Sequence, residues 1–435
     1  TMMRWARCRR TFFCAALLMG TAFPSGGPPG AAEPAEPRRL EWELSGEARF
    51  RPEWRDDADL DRDADDDRRE AFMRIRLGLL LGIGESFKVF AQAQDARAAG
   101  DEASTTSNEK SLDLHQGYLE VKPSPEGGLS LILGRQEIKY GDERMIGAFA
   151  WNNVGRSFDA ARVRWTRDRF IIDGLVARLT NRSAGAASGA TTGSDLYGTY
   201  ARLAPREGAE YEGYLLAYAD NDDAEGETGL NGGTLVTAVG ARVKERINWF
   251  DLAVEAAIES GEWRGDDLSA LAAAAQAGGS WGRDWKARAF VGYDFATGDE
   301  DPADGSREEF FNFFPTNHLH YGYADYEGWR NIRSPYAGAS LTRGNHFAQV
   351  RAHRFLLEEE AGPWKDAGGS VMGFDPAGLS GTSVGSEIDL TYRWRWRERM
   401  SLETGLSRFT PGRFARLTRG EDPSYWGYLM LTLGF

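Results

Sequence analysis

Cysteine is almost missing from this chain. Its two copies, Cys8 and Cys14, lie near the start, so the remainder has neither disulfides nor thiolate chemistry. Long apolar runs are missing too. Past residue 40 the most apolar run is Leu77 to Gly84, whereas a spanning helix needs about 20 apolar residues; a helical membrane bundle is excluded. Histidine is scarce, at 5 of 435 residues. Basic charge is outnumbered, 52 Lys and Arg against 66 Asp and Glu for a net charge of -14, which argues against a nucleic-acid partner. What is plentiful is glycine, 52 residues, and aromatics, 12 % of the chain with 14 Trp. So many aromatics must be buried or placed at an interface, which excludes disorder.

The first residues read as an address. Arg4, Arg7, Arg9 and Arg10 form a basic head, Phe12 to Phe23 is apolar, and a small, proline-rich stretch runs to Ala32. This is the pattern of a secretory signal peptide, residues 1–32, with cleavage after Ala32. Phe12 and Phe13 before Cys14 are not the small residues of a lipoprotein cleavage site. Residues 33–39 are expected to be a short periplasmic lead-in to a domain at 40–435.

From residue 40 the hydrophobic period is two. In Met73 to Leu79, Met73, Ile75, Leu77 and Leu79 share one face, and Arg74, Arg76 and Gly78 the other. In Glu387 to Trp396, Ile388, Leu390, Tyr392, Trp394 and Trp396 oppose Glu387, Asp389, Thr391, Arg393 and Arg395. Both are strand alternations. Eighteen such segments are expected: 40–51, 70–82, 86–97, 110–122, 128–139, 156–166, 168–180, 194–204, 209–220, 234–245, 247–260, 268–281, 284–297, 334–342, 345–357, 382–397, 399–409 and 424–435. The alanine run of 268–281 has helix propensity; it is read as a strand because an up-and-down barrel needs an even count.

The links alternate. They are tight after even-numbered segments, as at Arg167, Arg246 and Glu398, and long and polar after odd-numbered ones, as from Tyr140 to Gly155, Asn221 to Gly233 and Gly298 to Arg333. Short turns on one rim and long loops on the other describe an all-β, 18-stranded antiparallel transmembrane barrel of the bacterial outer membrane. The last strand, Leu429 to Phe435, ends on Phe435 with Leu429, Leu431 and Leu433 on the same face, which resembles the insertion signal of such barrels. No plug domain precedes residue 40 and the turn at Glu398 leaves no room for a periplasmic plug, so an energised transporter is not expected. The 298–333 segment holds too many aromatics for a loop fully in water and is expected to fold inward or cap the outer mouth.

A barrel of this size leaves an aqueous lumen, so function belongs on the inward face. Parity turns Arg49, Arg51, Arg74, Arg76, Arg162, Arg164, Arg242, Arg393 and Arg395 inward, together with Glu47, Asp173, Glu212, Glu255, Asp294, Glu387, Asp389 and Glu403. Two readings stay open for each charge: part of a selective ring, or one half of a cross-strand pair that keeps the wall wet and rigid.

One stretch carries family information. Gly134-Arg-Gln-Glu-Ile-Lys-Tyr-Gly-Asp-Glu-Arg-Met-Ile-Gly147 leads to Trp151-Asn-Asn-Val-Gly-Arg-Ser-Phe-Asp159, and Tyr293-Asp-Phe-Ala-Thr-Gly-Asp299 precedes Phe314, Pro315, His318, Tyr321, Asp325 and Asn331. These motifs resemble the alginate export family of outer-membrane barrels. The resemblance implies an eighteen-stranded monomer with an arginine-lined pore for an anionic polyuronate, and it carries over Arg135, Arg144, Arg156 and Asp159. Parity from Leu129, Leu131 and Leu133 turns Arg135 toward lipid, so a pore role for it needs a bulge at Gly134 or a place at the rim.

The expected function is passive export of an anionic polysaccharide, with a general or sugar- and anion-selective porin as the alternative. The expected partners are the lipid bilayer, lipopolysaccharide, the polysaccharide and periplasmic secretion components. An enzyme is not expected, because His318 and His320 have no Cys or Gly-x-Ser-x-Gly stretch nearby. No cofactor is expected. The acidic stretches Asp56 to Asp67 and Asp220 to Asp223 could attract surface Ca2+, but neither has the Gly-x5-Glu of an EF-hand; solvated surface, bridging divalent cations to lipopolysaccharide, is the weightier reading.

Overall fold

The computed structural model describes residues 40–64, 66–100, 112–124, 126–179 and 193–435. The expected leader and the 33–39 segment lie outside them. The described residues form eighteen wall strands. The first six are β1 (Leu40–Asp56), β2 (Arg68–Ile83), β3 (Phe87–Ala98), β4 (Asp113–Val121), β5 (Leu129–Gln136) and β6 (Phe158–Arg167). The middle six are β7 (Phe170–Arg178), β8 (Ser194–Arg206), β9 (Ala209–Glu225), β10 (Asn231–Ile247), β11 (Phe250–Trp263) and β12 (Asp266–Trp281). The last six are β13 (Lys286–Ala296), β14 (Ile332–Arg343), β15 (His346–Leu356), β16 (Ser383–Arg397), β17 (Met400–Pro411) and β18 (Ser424–Gly434). Each pairs antiparallel with its neighbours in sequence, and β18 returns to β1, from Glu47 opposite Gly434 to Asp56 opposite Tyr425. Closure leaves no free edge, which is what a sheet in hydrocarbon requires. A two-residue strand, Ser306–Arg307, adds a parallel contact to β12 at the rim.

The alanine-rich segment is β12. It pairs with β11 along its length and with β13 over Ala272 to Trp281. Partners on both edges override its helix propensity. At the seam, Gly46 lets the Phe435 ring lie across β1: a Cβ there would stand 2.2 Å from the ring. The outward face carries Ile75, Leu77, Val239, Ile258, Val291 and Leu390, all exposed, as a lipid-facing surface must be.

The short-turn rim is as expected. The opposite rim is less uniform: β9 and β10 pair onward to Glu225 and Asn231, which shortens the expected loop from Asn221 to Gly233, and Arg264 and Gly265 alone join β11 to β12.

The apolar core of this protein is inside its lumen. Loops 137–157 and 297–331 turn inward and join each other through a parallel bridge, Ile146 to Phe314. Gly147 N–H donates to Phe314 O and Phe314 N–H to Met145 O, both at 2.8 Å. Ile138, Ile146, Phe310, Tyr321 and Trp329 are buried there. They belong to one cluster with inward residues of the wall, including Phe158, Leu175, Leu196, Leu216, Val236, Leu268, Phe355 and Phe409. The 298–333 segment thus folds inward. Trp364, from loop 357–382, and Phe414, from the short helix α1 (Arg413–Thr418), complete the cluster.

Candidate functional site

Several wall strands change character along their inward face. Near the short turns that face is charged: Arg162 and Arg164 on β6, Arg202 on β8, Glu210 and Glu212 on β9, Arg242 and Lys244 on β10, Glu403 on β17. Near the long loops the same strands present Phe158, Leu196, Leu216, Val236 and Phe409, all buried against the inward loops. The candidate site is the passage between these loops and the wall.

Strands β1 and β2 break the rule. Toward the long-loop end they are basic rather than apolar, because their arginines hold the backbone of loop 137–157. Arg49 donates to Ala150 O at 2.8 Å and to Asn152 O at 3.0 Å. Arg51 donates to Trp151 O and lies over the Trp151 ring, 3.9 Å from its centroid. Arg74 reaches Ala150 O and Asn152 O while pairing with Glu47 at 2.7 Å. Arg76 donates to Val154 O and pairs with Glu137 at 3.1 Å. His115, which a register shift leaves without a cross-strand partner, meets the same Glu137 at 2.9 Å. Four guanidinium groups therefore clamp one five-residue segment.

The other expected pore residues fall into three groups. Arg144 and Arg156 belong to the inward loop itself. Arg144 is bonded bidentately to Asp294 of β13, at 3.2 and 3.3 Å, and to the Tyr321 hydroxyl at 2.7 Å. Arg156 donates to Gly147 O, Phe314 O and Pro315 O, which ties the two loops together; burial lowers its pKa to about 10. Arg162, Arg164 and Arg393 line the short-turn half. Arg164 grips Asp173 through two bonds of 2.7 Å, Arg162 stands 3.7 Å from the same carboxylate, and Arg393 pairs with Glu403. Arg395 is exposed near the turn. Arg135 and Asp159 form the third group. They bond bidentately at 2.8 and 2.9 Å, on the face opposite buried Gln136 and Phe158, at the long-loop rim. Gly134 has φ 121° but the ladder runs through it without a bulge, so this pair stands on the outer surface rather than in the lumen.

His318 and His320, of loop 297–331, are held in the packing of the lumen. His318 stacks on Trp151 at 4.3 Å and Tyr323 at 5.1 Å, with Nδ1 3.0 Å from Asp325. His320 Nε2 donates to Asp142 O at 2.8 Å. Burial, with help from Arg144, holds the pKa of His320 well below the usual imidazole value. Among the described residues no three His, Cys, Asp or Glu side chains converge to hold a metal ion. Between the loops and β10, β11, β12, β14 and β15 lies a cavity of ≈ 160 Å³, edged by Asp142, Arg144, Arg242, Glu255, His320 and Arg351.

A family model described as alginate export matches residues 41–428. The chain belongs to the alginate export family. It is an outer-membrane channel, and its family and fold are those of transport channels. No curated protein matches its sequence. The solved structures it is similar to include three outer-membrane proteins of Pseudomonas aeruginosa. OccK11 (OpdR) is 11 % identical, with a TM-score of 0.59, covering 91 % of this chain and 96 % of that one. OprD is 11 % identical, with a TM-score of 0.58, covering 90 % and 94 %. OccK5 (OpdH) is 12 % identical, with a TM-score of 0.60, covering 91 % and 98 %. At such identity the likeness is one of fold.

Within this alginate export chain, the sequence reading missed the clamp. Trp151 and Asn152 stood in a recognised motif, but nothing in periodicity indicates that wall arginines bond the carbonyls around them. It also missed Asp142, which takes Arg242 at 2.7 Å and Lys244 at 3.4 Å from the far wall.

Proposed function

We propose that this protein exports an anionic polysaccharide, a polyuronate such as alginate, passively across the outer membrane along an arginine-lined path. Family membership supports the substrate class. One observation carries the charge argument: Arg49, buried, and Arg156, half-buried, lie against peptide carbonyls and form no ion pair with any carboxylate among the described residues. Their positive charge is solvated by dipoles but not neutralised, and in confined water it is weakly screened. In the short-turn half, Arg162, Arg164, Arg393 and Arg395 receive the chain from the periplasm. A uronate carboxylate accepts guanidinium bonds in pairs and passes on where no single site holds it too tightly.

The test is reversal potential across planar bilayers under a salt gradient, together with polyuronate passage into vesicles. The unmodified channel prefers anions. Replacing Arg162, Arg164, Arg393 and Arg395 by Gln shifts the reversal potential toward cation preference and slows passage. These four lie away from the clamp, so conductance changes little. Cation preference in the unmodified channel would overturn the reading and leave the general porin in its place.

A further inference from the structure

The lipid-facing wall has a groove of its own. Across β14, β15, β16 and β17 the register sets three rows on the outward face. Nearest the short turns stand Arg343, His346, Trp394 and Leu402; next come Leu341, Ala348, Tyr392 and Thr404; then Ala339, Val350, Leu390 and Leu406. The small residues Ala339, Ala348 and Thr404 sit low between Leu341, Val350, Leu390 and Tyr392. The result is an apolar groove of ≈ 480 Å³, within the size range of sites for small organic ligands, ~300–1,000 Å³.

We propose that this groove binds one anionic glycerophospholipid of the periplasmic leaflet, an acyl chain in the groove and the phosphate at the Arg343 row. Two observations meet here. The groove opens into hydrocarbon, where no water fills it, and its walls lose dispersion contacts unless a chain lies in it. Its short-turn end carries two bases and no acid. Arg343 stands over Trp285, 4.7 Å from the ring centroid. His346 Nδ1 is 2.8 Å from the Tyr392 hydroxyl; with that hydroxyl donating, Nε2–H is left to donate to an anion. The His346 ring is parallel to Trp394 at 6.1 Å, and Trp394 to Trp396 at 5.9 Å, an aromatic belt of the kind that marks headgroup depth. Asp284 and Glu398 belong to the flanking turns, and Asp389 and Glu403 of β16 and β17 are buried on the inward face. A phosphodiester supplies the missing negative charge and its acyl chain fills the apolar space below.

Native mass spectrometry of the full barrel in mild detergent, with phosphatidylglycerol or phosphatidylcholine added, tests this. One phosphatidylglycerol is retained per barrel in preference to phosphatidylcholine. Ala348→Phe fills the groove and lowers retention about tenfold. Arg343→Gln with His346→Gln removes the preference for phosphatidylglycerol while a lipid is still held. Val176→Phe, on the remote lipid-facing wall, changes nothing. Heat-modifiable migration and unchanged single-channel conductance verify that each variant is folded. Equal retention of both lipids by the unmodified barrel, wild-type retention by folded Ala348→Phe, or a dimer that Ala348→Phe dissociates would each overturn the proposal.

Discussion

The long-loop half of the lumen and its short-turn half are built by the same strands and obey opposite rules. On β10, Val236 and Ala238 are buried against the inward loops, while four and six residues further on Arg242 and Lys244 reach Asp142 and the acids of β9. On β9 the order is mirrored, Glu210 and Glu212 first, then Leu216 and Tyr218. One half behaves as a protein core, the other as a wet wall of cross-strand ion pairs. The difference teaches that strand alternation specifies a face, not the medium that touches it; the medium is decided by loops far away in sequence.

The strongest way to break this comparison is to empty the core half. Deleting 299–330, or replacing Arg49, Arg51, Arg74 and Arg76 together by Gln, removes either one inward loop or the clamp on the other. Single-channel conductance rises several-fold in both variants, more for the deletion. Unchanged conductance would mean that these loops do not set the constriction.

Next come single side chains. Arg144→Met leaves Asp294 buried without its partner, a loss of about 3–5 kcal/mol, and adding Asp294→Asn recovers part of it. Phe409→Ala in the core half costs about 3–5 kcal/mol. Arg202→Ala in the wet half, whose pair with Glu210 is about one-third exposed, costs at most about 1 kcal/mol. Urea unfolding in lipid vesicles, followed by tryptophan fluorescence, ranks the three. Equal costs for Phe409→Ala and Arg202→Ala would erase the distinction between the halves.

The barrel was legible because its signal is repetitive. Eighteen alternating segments and their turns needed no knowledge of what lies inside, and even the alanine run of β12 followed from the closure of an antiparallel sheet. The lumen was legible only by face. Leu196 and Phe409 are inward residues of the wall that belong to the core, because loops without periodicity pack on them. Arg74 and Arg76 face inward, where besides Glu47 and Glu137 they meet carbonyls of Ala150, Asn152 and Val154, which every residue type carries and no motif reveals. Parity alone placed Arg135 on the lipid side, and the regular ladder through Gly134 keeps it there.

The smallest expected effect sharpens the comparison at the rim where loop 297–331 leaves the wall. Asp299 is buried, and burial, then the hydrogen bond and charge of Glu227, push its pKa up to about 7. Glu227 belongs to the short link between β9 and β10, so the two carboxylates join the inward loop to the wall hairpin beside it. A carboxyl with a folded pKa above its unfolded value of about 3.9 favours the folded arrangement fully below that unfolded value. That contribution is lost as pH rises through about 7. Between pH 6 and pH 8 the pair gives up its shared proton and two negative charges face each other, so the loop base loosens. Current noise from brief openings should increase across that interval, and amide exchange in 297–305 should quicken. Asp299→Asn keeps the hydrogen bond without the charge and flattens both dependences, while the ion pairs of the short-turn half stay unaffected. If the noise of Asp299→Asn still rises between pH 6 and pH 8, the rim pair is not what couples proton concentration to the inward loop.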